Sequence, residues 1–428
     1  MLMKRDIYNI NFIKSESFLD NITTLIYALI PIFLIIGTAV SEFAIILLSL
    51  RFIIEIFVLR KIKFFENNLI YFLLIIYFAL LVNLFFSLNI NNSFFRNIFF
   101  IKYIFFIIGT IYFLSKRKDR LFLILKAWLL ILIIFSLDLY VQFIFGKNTL
   151  GFSSPLKYHR LSGFMGDELK AGSLLLSFSF LSSGFLFTHT KKKNFAIFLF
   201  FFFLLTVFIT GDRSNFIKSI IILLFILFIF KKKYLKRIFF LCTLSVITIS
   251  LFINSNNVFK ERYYNKIIKE IKLNSYSLYE YTKNNEYGKI YTSAYNLFLE
   301  RKIFGVGNKN YRIICEKNFQ HEYNLNIEDI SKFKCNTHPH QIYFEILSEH
   351  GIFGLTVMFI LLLIFLYHNL YYVIKSKNIL LSILFMSVII PFIPLLPGGS
   401  FFSSFNATMF WINFSLYFTY KNIYNQIK

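Results

Sequence analysis

The side chains best suited to chemistry are the two histidines of the stretch Thr337 to Gly354, THPHQIYFEILSEHGIFG. His338 and His340 flank Pro339, and a residue before proline is pushed toward extended backbone, so the triplet reads as a non-helical strip. An imidazole with its ordinary pKa of about 6.5 can take a proton from a hydroxyl near neutral pH. From Gln341 onward the pattern turns helical, and Glu345 and Glu349, four apart, share a face. Gly351 and Gly354 follow, small enough for close packing against a neighbour, before the apolar run from Leu355 to Leu366.

Arginines supply the complementary chemistry. Arg213 sits in the tight turn TGDRS, Thr210 to Ser214, between two apolar runs, and Arg160 lies in KYHRLSGFMGDE. A guanidinium gives phosphate oxygens a planar, bidentate fork, so outward arginines at membrane level suit a lipid-linked diphosphate. Their alternative is plain: Arg213 snorkelling toward lipid phosphate and Arg160 as an ordinary loop cation. A histidine base with cation-neutralised diphosphate as leaving group needs neither a general acid nor a metal. Two rivals stay open for the histidines, a zinc site made with Cys335 and a polar strip without a role. Cys315 and Cys335 can form one disulfide or remain two thiols.

The elements that position these residues are membrane spans. The 428 residues are 57% hydrophobic and 21% aromatic but only 16% charged, more apolar surface than one soluble core can hide. Runs of roughly 20 apolar residues recur along the chain. About twelve spans are expected, near 22 to 40, 42 to 59, 69 to 88, 97 to 114, 121 to 145, 170 to 188, 195 to 210, 215 to 230, 238 to 253, 351 to 371, 379 to 397 and 402 to 420. The chain thus divides into N-terminal spans (1–150), central spans with the RLSG and TGDRS loops (151–253), a large loop carrying HPHQ (254–350) and C-terminal spans (351–428).

The net charge of +24 would suggest nucleic acid in a soluble protein. Here the cations cluster between spans, at Arg60/Lys61/Lys63, Lys116 to Arg120, Lys191 to Lys193, Lys231 to Arg237 and Lys375/Lys377. All fall on the side of the N-terminus, which the positive-inside rule makes cytoplasmic. No cleavable signal peptide is evident. The loops carrying Arg160, Arg213 and the histidines then face outward.

With these residues in place, the chain resembles the bacterial O-antigen ligases and their polymerase relatives. His340 and Gln341, nine residues, then Gly351 and Gly354 match that family's His, Asn/Ser/Gln, nine residues, Gly-x-x-Gly signature. TGDRS resembles its TGSRS turn, departing at Asp212, which implies Arg213 as functional. RLSGFMGDELKAG, from Arg160, and AYNLFLERKIFGVG, from Ala294 to Gly307, are similar to two further family elements. Where the family often has an arginine before the latter element, this chain has Lys289, with Arg301 and Arg312 as possible substitutes.

The resemblance implies an all-helical, polytopic inner-membrane glycosyltransferase without a cofactor or bound metal, whose helical periplasmic loop lies between the ninth and tenth spans. Its donor would be an undecaprenyl diphosphate-linked glycan in the membrane lipid, its acceptor lipid A core or, for a polymerase, a second carrier-linked glycan. His340 would be the catalytic base and Arg213 the diphosphate-binding catalytic residue. Arg160, Lys289, His338, Gln341, Arg301 and Arg312 would contact substrate, and Gly351 and Gly354 would be structural. From other classes, a lipid-linked sugar flippase or an assembly scaffold are the alternatives; missing half-to-half symmetry weighs against the flippase.

Overall fold

The computed structural model describes residues 3–59, 68–154, 160–230, 232–265, 285–319 and 333–427, together with Ile268. The Arg60/Lys61/Lys63 cluster and the segment from Lys157 to His159 lie outside these. No β-strand occurs among the described residues. Ten helices precede the large loop: α1 (Met3–Ile36), α2 (Thr38–Leu59), α3 (Asn68–Phe85), α4 (Ile90–Ile98), α5 (Ile101–Ser115), α6 (Lys118–Phe145), α7 (Ala171–His189), α8 (Lys193–Ile209), α9 (Arg213–Leu227) and α10 (Lys232–Ser255). The loop contributes, among the described residues, two short helical turns (Asn257–Phe259 and Lys260–Asn265), α11 (Glu286–Glu300) and α12 (Tyr311–Phe319). Three more complete the described chain: α13 (Ile342–Ser376), α14 (Ile379–Ile389) and α15 (Ser404–Ile427).

Among the described residues, six helical stretches are long and apolar enough to cross a membrane, and Leu69–Phe85, Lys193–Ile209 and Ile379–Phe392 are shorter apolar helices. Phe57, Phe239 and Leu363 stand exposed on α2, α10 and α13, as apolar side chains facing lipid would. The charges inside α2 are paired instead: Arg51 lies 3.5 Å from Asp20 and 3.7 Å from Glu55, and Arg117 lies 2.9 Å from Asp20.

At the centre is α7, packed against α6, α8 and α14. Its small residues permit this. A Cβ added to Gly184 would stand 2.4 Å from Ile383 Cδ1, and the buried hydroxyls of Ser182 and Ser183 each donate 2.9 Å back to the carbonyl four residues earlier.

Two sequence expectations need adjusting. The span expected over 97 to 114 is matched by α5 but begins earlier, as part of an apolar stretch Ile90–Ser115 in which α4 and α5 meet at Phe99–Phe100. The span expected to reach residue 397 ends as α14 at Ile389 with a 3-10 turn, Ile390–Phe392. Proline lacks the N–H that would continue a helix, so Pro391, Pro394 and Pro397 leave residues 393–403 free to form a loop. That loop becomes part of the site.

Candidate functional site

The His338–His340 strip is non-helical, and His340 itself has φ +59°, a left-handed conformation uncommon for a residue with a Cβ. What holds it there is the loop after α14. Gly398 N donates to His340 O at 2.7 Å, and Gly398 O accepts from His338 Nε2 at 3.3 Å. The same loop grips the other half of the molecule. Pro397 O accepts from the buried Lys218 Nζ at 2.9 Å and from Ser214 Oγ, both on α9. One proline-glycine turn therefore joins the arginine turn to the histidine strip.

The turn is itself fixed from behind. Glu345, on α13 and fully buried, accepts from Phe401 N at 2.9 Å and from Ser400 Oγ, with Lys309 Nζ 3.7 Å away. Lys309 is delivered by the turn after α11, which side chains from α3 and α4 clasp: Asn83 Oδ1 accepts from Asn308 N at 2.9 Å, and Asn97 Oδ1 from Asn308 Nδ2 at 2.6 Å. Glu345 and Glu349, which the spacing put on one face, are both buried.

Gly351 breaks α13 where it meets the turn after α11. It has φ +64°, ψ −165°, inside α13, and the chain beyond it donates from Ile352 N to Lys302 O (2.9 Å) and from Phe353 N to Ile303 O (3.1 Å). A Cβ there would stand 2.3 Å from Ile303 O. Sequence spacing pointed to close packing; the structure adds the backbone conformation. Gly351→Ala is expected to cost about 1–3 kcal/mol from the conformation alone, plus the clash. A wild-type melting temperature for this variant in lipid nanodiscs would refute this account.

Residues from both halves line a cavity of about 380 Å³. Arg160, His338 and His340 are brought together on its wall, with Asp212, Ser214, Lys218, Tyr287 and the turn Pro397–Gly399. Arg160 Nη2 donates to Asp212 Oδ2 (3.1 Å) and to Leu169 O (2.8 Å). Asp212, the departure from the family turn, also caps α9: its carboxylate accepts from Asn215 N (3.3 Å) and Asn215 Nδ2 (2.8 Å). It anchors Arg160 and opens the helix that begins at Arg213. Arg213 does not line the cavity, although both chain neighbours do. At the first position of α9 it adds its charge to the positive end of the helix.

A third arginine joins this group. Arg262 Nε donates to Gly211 O, and its pKa is lowered by burial first and then by Arg160 and Arg213, against the opposing charge of Asp212. Both histidines are pushed down to about 4. For each, burial is the main cause; Lys309 adds to it at His338, and His338 and Arg160 add to it at His340, where Glu345 opposes. At neutral pH both are uncharged, the state a base needs. Their rings are 4.1 Å apart.

The other sequence candidates lie elsewhere. Gln341 is buried as the cap of α13, its Oε1 accepting from Tyr343 N (2.7 Å) and Phe344 N (3.1 Å). Lys289 is half-buried on α11 and does not line the cavity. Arg301 is exposed at the end of α11, and Arg312 is exposed on α12 with Glu316 2.9 Å away. Cys315 and Cys335 form a disulfide, Cα atoms 5.6 Å apart, which removes the thiolate from the zinc alternative. Sequence reasoning missed Lys218, Arg262, Asn336 and the Pro397–Gly399 turn. Lys218 was visible as a lone cation in an apolar run, and the PGG triplet as a break in another.

Residues 198–359 match the family described as O-antigen ligase. The chain carries an O-antigen ligase family domain. The match begins in α8 and ends in α13, so it takes in the arginine turn, Lys218, Arg262 and the histidine strip. Together with the apolar helices, the match supports an integral membrane protein whose 198–359 stretch is of the O-antigen ligase family. Arg160 and the Pro397–Gly399 turn lie outside the matched O-antigen ligase stretch, although they line the same cavity. No curated protein matches the chain.

Proposed function

We propose that the protein is a ligase-type glycosyltransferase of the bacterial inner membrane, moving a glycan from an undecaprenyl diphosphate carrier to lipid A core on the periplasmic side. The observation that supports this reading is one cavity lined by His338 and His340 together with Arg160 and the residues that begin α9. His340 takes the proton of the acceptor hydroxyl as its oxygen attacks the anomeric carbon. The carrier diphosphate leaves with the electron pair, its charge met by Arg160 and Lys218 on the cavity wall and by the positive start of α9, to which Arg213 adds its charge from outside the wall. A direct displacement of this kind inverts the anomeric configuration. Cations at the diphosphate take the part a divalent ion would play, so no metal is required.

In this reading α1, α2, α3, α4 with α5, α6 to α10, the part of α13 after Gly351, α14 and α15 make twelve spans. Both termini are cytoplasmic and the region 254–350 caps the periplasmic end. His338 orients His340. Lys289 would serve as a cation for carrier phosphate only outside the cavity wall, and the exposed Arg301 and Arg312 would contact the glycan.

The test is transfer by purified protein in nanodiscs, with carrier-linked glycan, a chelator, and either lipid A core or a second carrier-linked unit as acceptor. Discrete transfer to lipid A core with inverted configuration is the expected result. Lengthening of carrier-linked chains would make the protein a polymerase with the same site. Absence of both products, with the donor moved across the bilayer intact, would overturn the reading.

A further inference from the structure

His340 Nε2, the nitrogen that would receive the acceptor proton, is not vacant. Asn336 Nδ2 lies 2.8 Å from it. The orientation of that amide is determined by its other end, since Asn336 Oδ1 accepts from Thr337 N at 2.9 Å. The amide must therefore offer its N–H to Nε2, which leaves the imidazole proton on Nδ1. Asn336 adjoins Cys335, and the disulfide ties it to Cys315 in the buried wall of α12. The amide is thus held in front of the base by a covalent anchor on one side and a backbone hydrogen bond on the other.

We propose that Asn336 occludes His340 in the resting state and yields Nε2 only to a bound acceptor hydroxyl, so that it favours sugar over water as the nucleophile. This rests on the reading of His340 as the base. Breaking a half-buried hydrogen bond disfavours any nucleophile that enters. A glycan acceptor offsets this with contacts remote from the reacting hydroxyl, and water has none to offer. In both reactions the nucleophile loses its proton to Nε2 as its oxygen bonds the anomeric carbon and diphosphate departs. The products are a glycosidic bond or, with water, the free reducing glycan.

The experiment compares wild type, Asn336→Ala, Asn336→Asp and Asn336→Ala/His340→Ala in nanodiscs, measuring transfer with acceptor and free glycan released without it. Asn336→Ala is expected to raise hydrolysis about tenfold relative to transfer, and the double variant to lose that hydrolysis. Unchanged hydrolysis, or loss of transfer with no gain in hydrolysis, would overturn the proposal.

Asn336→Asp keeps size and the Thr337 contact but replaces the donor with a carboxylate. The charged and titratable groups around His340 are His338 beside it, Glu345 on α13, Arg160 across the cavity, Tyr287 on α11 with ring centroids 6.0 Å away, and Lys309 behind His338. A new carboxylate at Nε2 would join Glu345 in stabilising the imidazolium, against the effect of His338 and Arg160. The acid limb of transfer is expected to move to higher pH, and an unmoved limb would likewise overturn the proposal. Transfer that survives in Asn336→Ala/His340→Ala would refute the base assignment instead, a failure this comparison separates from its own.

Discussion

Replacing His340 by alanine is expected to lower glycan transfer roughly 100- to 10,000-fold, the range a positioned general base contributes, with donor binding largely kept. The pH profile gives the sharper result. His340 acts as a base only when neutral, so activity rises as pH rises through its pKa. With that value near 4 in the resting protein, the acid limb of kcat/KM should lie well below the ordinary imidazole value. A bound diphosphate adds negative charge beside the ring and favours the imidazolium, so the limb of kcat should sit at higher pH. Measuring both from pH 4 to 7.5 decides it, and coincident limbs near 6.5 would show that neither burial nor the donor acts on the base. The stability effect has the same sign. The unfolded chain binds a proton at each histidine below about pH 6.5, which the folded strip resists until about 4, so stability should fall as pH falls through that window.

The second large effect is expected at the arginines. Arg160→Ala and Arg213→Ala should each reduce transfer by about 100-fold or more, as loss of one group that meets developing negative charge does. Lysine should restore only part of this, since it keeps the charge and loses the bidentate fork. The two differ in origin. Arg160 is presented by Asp212, so Asp212→Asn should weaken transfer through Arg160 while leaving α9 capped by the remaining amide oxygen. Arg213 acts from the first turn of α9, where helix and guanidinium reinforce each other. Transfer rates with donor titrations would separate them from a mere folding defect. Full activity in both alanine variants would remove the diphosphate from this end of the cavity.

The parts of this site legible in the sequence were those specified by local spacing. Two histidines around a proline, a glutamine at a helix start and two glycines at fixed distance are readable because backbone preference acts over a few residues. The arginine turn was readable because a cation at the edge of an apolar run demands a partner. The remainder depends on contacts between remote segments. Lys218 and Pro397 are 179 residues apart, His338 and Gly398 60 apart. Nothing in the apolar pattern around either indicates that one loop would receive both. Asn336 was equally invisible as one polar residue among many, until the disulfide and Thr337 gave its amide a direction.

The Pro397–Gly399 turn has a consequence for how the protein is made. It is synthesised after every other segment it binds, so during translation the arginine turn and the histidine strip emerge with no bridge between them. His340 gains its partner at Gly398 only when α14 has been inserted and the chain has turned back. An incomplete chain would expose a membrane-level cluster of cations without an assembled base. Under the proposed function, such a chain would be unable to transfer glycan, so the reaction would await the return of the chain after α14.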